Sequence, residues 1–195
     1  MPKEVQVDLS RELAEAAKAV GLLLSSMTLT IDEERAVIRA SWAGSSHYPV
    51  SLALVAAKLL HDRGRYVKRI EVISESAVTP SLPTPSRPRV ALSLGSPEVS
   101  RLLAIVADSC FKRGYYVEGI DIKLRRGPPA LRLEVLVPHS RAVRTEPSSY
   151  KRIPQELADE IRREVLEVLK RDAEVRVLAV VSTARGTEEY EGRAP

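Results

Sequence analysis

Few side chains in this 195-residue sequence are suited to bond-making chemistry. Its imidazoles are His47, His61 and His139, and its only thiol is Cys110. No two of the histidines are close enough in sequence to form a local metal pair, and a lone cysteine gives neither an intrachain disulfide nor a thiolate zinc site. His61 lies in a helical run beside Asp62, where a solvent-facing or capping role accounts for it. His47 and His139 fall in loops with no nucleophile to activate. Cys110 sits in an apolar helical run and reads as a buried structural thiol. No nucleophile, base and orienting group can be named together, so no catalytic residue, metal or cofactor is expected, and the reading leans away from an enzyme.

Anion binding is a different matter, because backbone N–H groups at a helix start attract negative charge without any special side chain. Two strand-to-helix loops have the right composition: Gly44-Ser45-Ser46-His47-Tyr48-Pro49 and Gly95-Ser96-Pro97. Neither fits the glycine spacing of a dinucleotide fingerprint or a P-loop. Ser96 is also well placed to cap the following helix, with Pro97 at its first position. Gly44, Ser45, Ser46, Gly95 and Ser96 are therefore the alternative site, for a small anionic ligand.

Charge distribution points more strongly. Lys123, Arg125, Arg126, Arg132, Arg141, Arg144, Lys151 and Arg152 face only Glu134 and Glu146 between residues 123 and 152, whereas the entire chain is +4. A β-hairpin tipped by Lys123, Arg125 and Arg126, with a loop carrying Arg141, Arg144, Lys151 and Arg152, is expected to contact phosphates. Such contacts give salt-dependent, largely sequence-independent affinity. The expected partner is RNA, DNA or a ribonucleoprotein. No strand carries the aromatic run on which RRM sheets stack bases. The chain has no Asn, two Gln, and 22 Arg against 8 Lys. Amide depletion with abundant charge suits a thermophilic source, where arginines also serve surface ion-pair networks.

The elements that must position these residues follow from periodicity. Val5–Val7 is expected to be a short strand before a helix over 9–24. Met27–Ile31 and Ala36–Trp42 read as a hairpin, Val50–His61 as a helix and Tyr66–Ile73 as a strand. Arg89–Leu94, Glu98–Lys112, Tyr116–Leu124, Ala130–Val137, Pro154–Lys170 and Glu174–Val181 then give strand, helix, two strands, helix and strand. Residues 52–72 align without a gap with 102–122, sharing Leu52/Leu102, Ala57/Ala107, Arg63/Arg113, Gly64/Gly114, Tyr66/Tyr116, Val67/Val117 and Ile70/Ile120. One helix-glycine-strand unit is thus used twice.

The expected fold is α+β, with two tandem ferredoxin-like (βαββαβ) halves, each an antiparallel sheet with its helices on one face. Their bounds are 1–78 and 89–184, joined by a proline-rich linker over 79–88, with 185–195 a frayed tail. The strand-loop-helix-glycine-strand order from Arg89 to Leu124 is similar in outline to the opening of an ACT regulatory domain, although Glu98 stands where that pattern usually has glycine. The resemblance implies an amino-acid effector at the strand-to-helix loops, hence a regulatory module or oligomeric scaffold as the second functional class. The charged start and the lack of a long apolar run lead to the expectation of a cytoplasmic protein with no membrane contact. Exposed sheet edges make a homodimer a further expectation.

Overall fold

A computed structural model describes residues 3–42, 48–75 and 89–195. Five helices, α1 (Lys3–Ala19), α2 (Tyr48–Asp62), α3 (Pro97–Phe111), α4 (His139–Ala142) and α5 (Ile153–Leu169), and eight strands occur among these residues. The strands are β1 (Ser26–Ile31), β2 (Arg35–Ser41), β3 (Arg69–Ser74), β4 (Arg89–Ser93), β5 (Tyr116–Lys123), β6 (Ala130–Val137), β7 (Glu174–Thr183) and β8 (Gly186–Ala194). A 3-10 turn over Pro147–Arg152 leads into α5. No described helix is long and apolar enough to cross a membrane.

The mixed α+β class is as expected, and the strands form two four-stranded sheets, β1-β2-β3-β4 and β5-β6-β7-β8. Element order within each differs from the expected βαββαβ arrangement. Each sheet is instead built by a leading helix, a hairpin, a crossover helix and a second hairpin. The outer strand pairs are antiparallel, but β2 with β3 and β6 with β7 are parallel. A helix between adjacent strands returns the chain to the end where it started, so those strands must run in the same direction.

Three local expectations are corrected by the same pairings. Val5–Val7 lies inside α1, because the helical pattern continues back through these residues and nothing pairs them as a strand. β4, expected to open the second half, completes the first sheet through pairs such as Ile70↔Leu92. The expected tail forms β8, paired with β7 from Val175↔Ala194 to Thr183↔Gly186. Chain contacts accordingly divide the protein into residues 1–104 and 105–195, within α3 and not at the proline-rich stretch. The linker over 79–88 lies outside the described residues.

The internal repeat acquires a structural meaning. α2-β3-β4 and α3-β5-β6 are each a helix followed by a hairpin, and α1-β1-β2 and α5-β7-β8 repeat that plan. Both repeat glycines adopt the left-handed conformation, Gly64 at φ 62° and Gly114 at φ 71°, which stops each helix and turns the chain toward its strand.

Strict alternation builds the second core. Leu131, Leu133, Val135 and Val137 of β6 and Val175, Val177, Ala179 and Val181 of β7 are all buried. α5 covers that face with Leu157, Ala158, Ile161 and Val165, also fully buried. Each such Leu, Ile or Val contributes about 1.5–3 kcal/mol of apolar burial. In the first unit Ala36, Ile38, Ala40, Ile70 and Val72 are the inward strand positions, with Leu9, Leu13 and Ala17 of α1.

Candidate nucleic-acid interface

Alternation that sends valines and leucines inward sends their neighbours to the opposite face of the second sheet. Lys123↔Ala130 and Ala130↔Glu174 make one cross-strand row, and Asp121↔Arg132 with Arg132↔Arg176 make the next. Lys123, Arg125, Arg132 and Arg176 therefore converge with Asp121 and Glu174 around a cleft of ≈ 190 Å³ at the hairpin end of this face. Lys123 Nζ lies 3.5 Å from Asp121 Oδ2. Arg176 Nη2 is 3.4 Å from Glu174 Oε1, and Arg125 Nη1 is 3.8 Å from Glu174 Oε2. Arg132 has no carboxylate within ion-pairing reach among the described residues.

The hairpin tip is held from below. α5 ends at Lys170, whose left-handed φ of 53° turns the chain so that Arg171 reaches back under the tip. Its guanidinium donates to the Gly127 carbonyl at 2.9 Å. Arg162 fixes the same corner by donating to both oxygens of Asp172, at 2.7 and 2.8 Å. Those hydrogen bonds and the Arg162 charge hold the Asp172 carboxyl below its ordinary range. Arg126, at the tip, is exposed and has no ion-pair partner among the described residues.

The remaining predicted cations stand at the other end of the sheet. Arg141, Arg144, Lys151 and Arg152 follow the end of β6, so the length of that strand, roughly 23 Å at about 3.3 Å per residue, separates them from the hairpin tip. Lys123 and Arg125 line one cleft, with Arg126 next to them at the tip, while the other four follow the far end of β6. All four are exposed, and none has a carboxylate partner among the described residues. Arg141 packs beside the backbone of Gly114.

On the first sheet the described ion pairs match cation to carboxylate one for one. Ala36↔Ile70 and Leu131↔Val175 are equivalent inward pairs, which makes Arg69 and Glu71 of β3 the counterparts of Glu174 and Arg176 of β7, with the signs exchanged. Arg69 Nε lies 2.8 Å from Glu71 Oε1, Arg35 Nε 3.3 Å from Asp32 Oδ2, and Arg39 Nη1 3.7 Å from Glu75 Oε1. Lys68 pairs with Glu34. Each of these four described cations thus has its own carboxylate, whereas the second-sheet cleft is lined by four cations and two carboxylates, with Glu191 of β8 an electrostatic neighbour of Arg132 and Arg176.

Comparison with protein-family models, curated proteins and solved structures yields no match to this chain.

Gly44, Ser45 and Ser46 lie outside the described residues. Gly95 has φ 60°, and Ser96 Oγ accepts from the Val99 N–H at 3.4 Å, the capping role its position suggested. Among the described residues no group of three or more His, Cys, Asp and Glu side chains is placed to hold a metal. Cys110 is fully buried, and burial, with Glu160 adding to it, pushes its thiol up to about 12. Sequence reasoning missed Arg132 and Arg176 as site residues. Their alternation with buried neighbours marked both as outward-facing, but the register that sets them side by side is a long-range pairing with no local signal.

Proposed function

We propose that this protein binds the phosphodiester backbone of nucleic acid through the second sheet, with Arg132 and the hairpin-tip Arg126, which have no ion-pair partner among the described residues, as the leading contacts and the paired Lys123, Arg125 and Arg176 in supporting positions. The supporting observation is the cation excess that lines that cleft, four cations to two carboxylates, with Arg132 outside ion-pairing distance of any described carboxylate. Guanidinium groups suit the role because their planar array of donors matches two phosphate oxygens at once. Arg141, Arg144, Lys151 and Arg152 extend the electrostatic footprint to the far end of the sheet. No bond is made or broken in this reading; phosphates replace water and released counterions around exposed cations.

Fluorescence anisotropy with a labelled RNA and a labelled duplex DNA tests it. Binding at low ionic strength is expected to weaken steeply with added salt, and Arg132→Ala is expected to weaken it further. Absence of binding to either probe at low salt would falsify the proposal.

A further inference from the structure

A second cleft in the same unit differs in character from the phosphate-facing one. It measures ≈ 370 Å³ and lies between the segment that carries α4 and the 3-10 turn and the β7-β8 connection. Val143, Pro147 and Tyr150 give it an apolar wall, and His139, Arg185 and Glu188 give it polar groups. The wall is rigid: Tyr150 is buried, its hydroxyl donates to the Ala142 carbonyl at 3.0 Å, and its ring packs against Tyr190 at 6.4 Å between centroids. Val143 is 63% exposed at the rim, an apolar side chain left in water next to Arg144.

The polar groups keep unused hydrogen-bonding capacity. Glu188 Oε2 accepts from the Tyr190 hydroxyl, which fixes the carboxylate, while Oε1 has no partner among the described residues. Arg185 lines the same cleft without an ion pair to Glu188. An oriented acceptor, an apolar wall and unpaired cations on the adjoining chain match one kind of occupant: a flat ring with hydrogen-bond donors on its edge, attached to phosphates.

We infer that this cleft seats a single unstacked guanine of a single-stranded nucleic acid, with flanking phosphates on Arg185 and on the cations of residues 141–152. The inference rests on the phosphate-binding reading above and specifies its substrate class. A duplex keeps its bases stacked and paired, whereas a single strand presents them for insertion against apolar and aromatic side chains. Guanine is selected because its Watson–Crick edge carries two adjacent donors, N1–H and the exocyclic amino group, matching a carboxylate. Adenine offers only its amino group there.

The test compares three 12-residue probes by anisotropy at low salt: alternating uridine-guanosine RNA, alternating uridine-adenosine RNA, and a duplex DNA. Wild-type protein is expected to bind the guanosine strand about tenfold more tightly than the adenosine strand, within the range of one bidentate base contact. Glu188→Gln should abolish that difference. Val143→Glu, a change at an exposed position checked for folding by circular dichroism, should bring both single strands to the affinity of the duplex. Equal binding of all three probes by wild-type protein overturns the inference and leaves the phosphate-binding reading standing, whereas no binding of any probe removes both. Guanosine monophosphate or an acidic leucine-glutamate peptide that displaces the RNA at equal concentration also overturns it, pointing to a free nucleotide or a protein ligand.

Discussion

Glu160 joins α5 to the end of α3 through charge. Lys112 and Arg113 both pair with its carboxylate, which is only 12% exposed. Burial pushes the Glu160 carboxyl upward, but the hydrogen bonds and charges of Lys112 and Arg113 outweigh it and leave the group below its ordinary range. A folded-state value depressed below the unfolded one, near 4.3, contributes stability that is present above that value and is lost as pH falls through the folded one. Glu160→Gln is expected to cost about 1–2 kcal/mol at pH 7, since it leaves a half-buried guanidinium without its counter-charge. Urea unfolding should show the mutant and wild type converging as the pH falls into the acid range, where both carry a neutral side chain. A gap that persists unchanged at low pH would contradict the electrostatic account. Cys110 provides a second readout from the same neighbourhood: its buried thiol should resist an aqueous disulfide reagent in native protein and react at once in denaturant.

At the scale of elements, the second unit depends on how closely β8 approaches α5. A Cβ built on Gly192 would lie 2.3 Å from the Gln155 nitrogen and the Pro154 carbonyl carbon, so no side chain fits between strand and helix. Gln155 completes the join by donating from Nε2 to the Arg193 carbonyl at 2.8 Å and accepting from the Arg193 N–H at 3.2 Å. A side-chain amide thus takes the place of a neighbouring strand at this point on the exposed edge of β8, where unpaired backbone would invite pairing with another chain. Gly192→Ala must push backbone against backbone and is expected to destabilise by about 3 kcal/mol, visible as a lowered urea midpoint. Gln155→Ala, which removes the bond without a clash, should cost about 1 kcal/mol. This interface also shows where sequence reading reaches its limit. The valine alternation of β7, the Ser96 cap and the glycine exits at Gly64 and Gly114 are local facts, and all were legible. β8 was not, because Thr187-Glu188-Glu189-Tyr190-Glu191 is too polar to read as a strand in isolation. It becomes one by pairing with β7 on the far side of a tight turn. The ownership of β4 was hidden for the same reason, since a strand's sheet is decided by its partner. Of the cationic cleft, the hairpin residues were legible as charge, while Arg132 beside Arg176 required the β6-β7 register.

For the whole molecule, one plan is used twice with opposite electrostatic outcomes. Both sheets carry a charged residue on either side of a buried strand position, Arg69 and Glu71 in the first and Glu174 and Arg176 in the second. Exchange of those signs alone would leave each pair neutral. What separates the sheets is how closely the carboxylates are set: Asp32, Glu34, Glu71 and Glu75 each form an ion pair with Arg35, Lys68, Arg69 and Arg39, whereas Asp121 and Glu174 serve Lys123, Arg125 and Arg176, and Arg132 has Glu191 only as a neighbour beyond ion-pairing distance. A paired guanidinium must give up its own carboxylate before it can take a phosphate, so it adds little to binding; an unpaired one adds its full counterion release. Each cation that neutralises a single-strand phosphate contributes about 0.7 to the slope of log K against log salt. Arg132→Ala should therefore lower affinity and flatten the slope by about 0.7, and Arg126→Ala should act similarly. Arg35→Ala on the first sheet removes an equal formal charge and should leave both affinity and slope nearly unchanged. Equal losses from Arg35→Ala and Arg132→Ala would mean that the chain attracts polyanions through its net charge alone, with no privileged face.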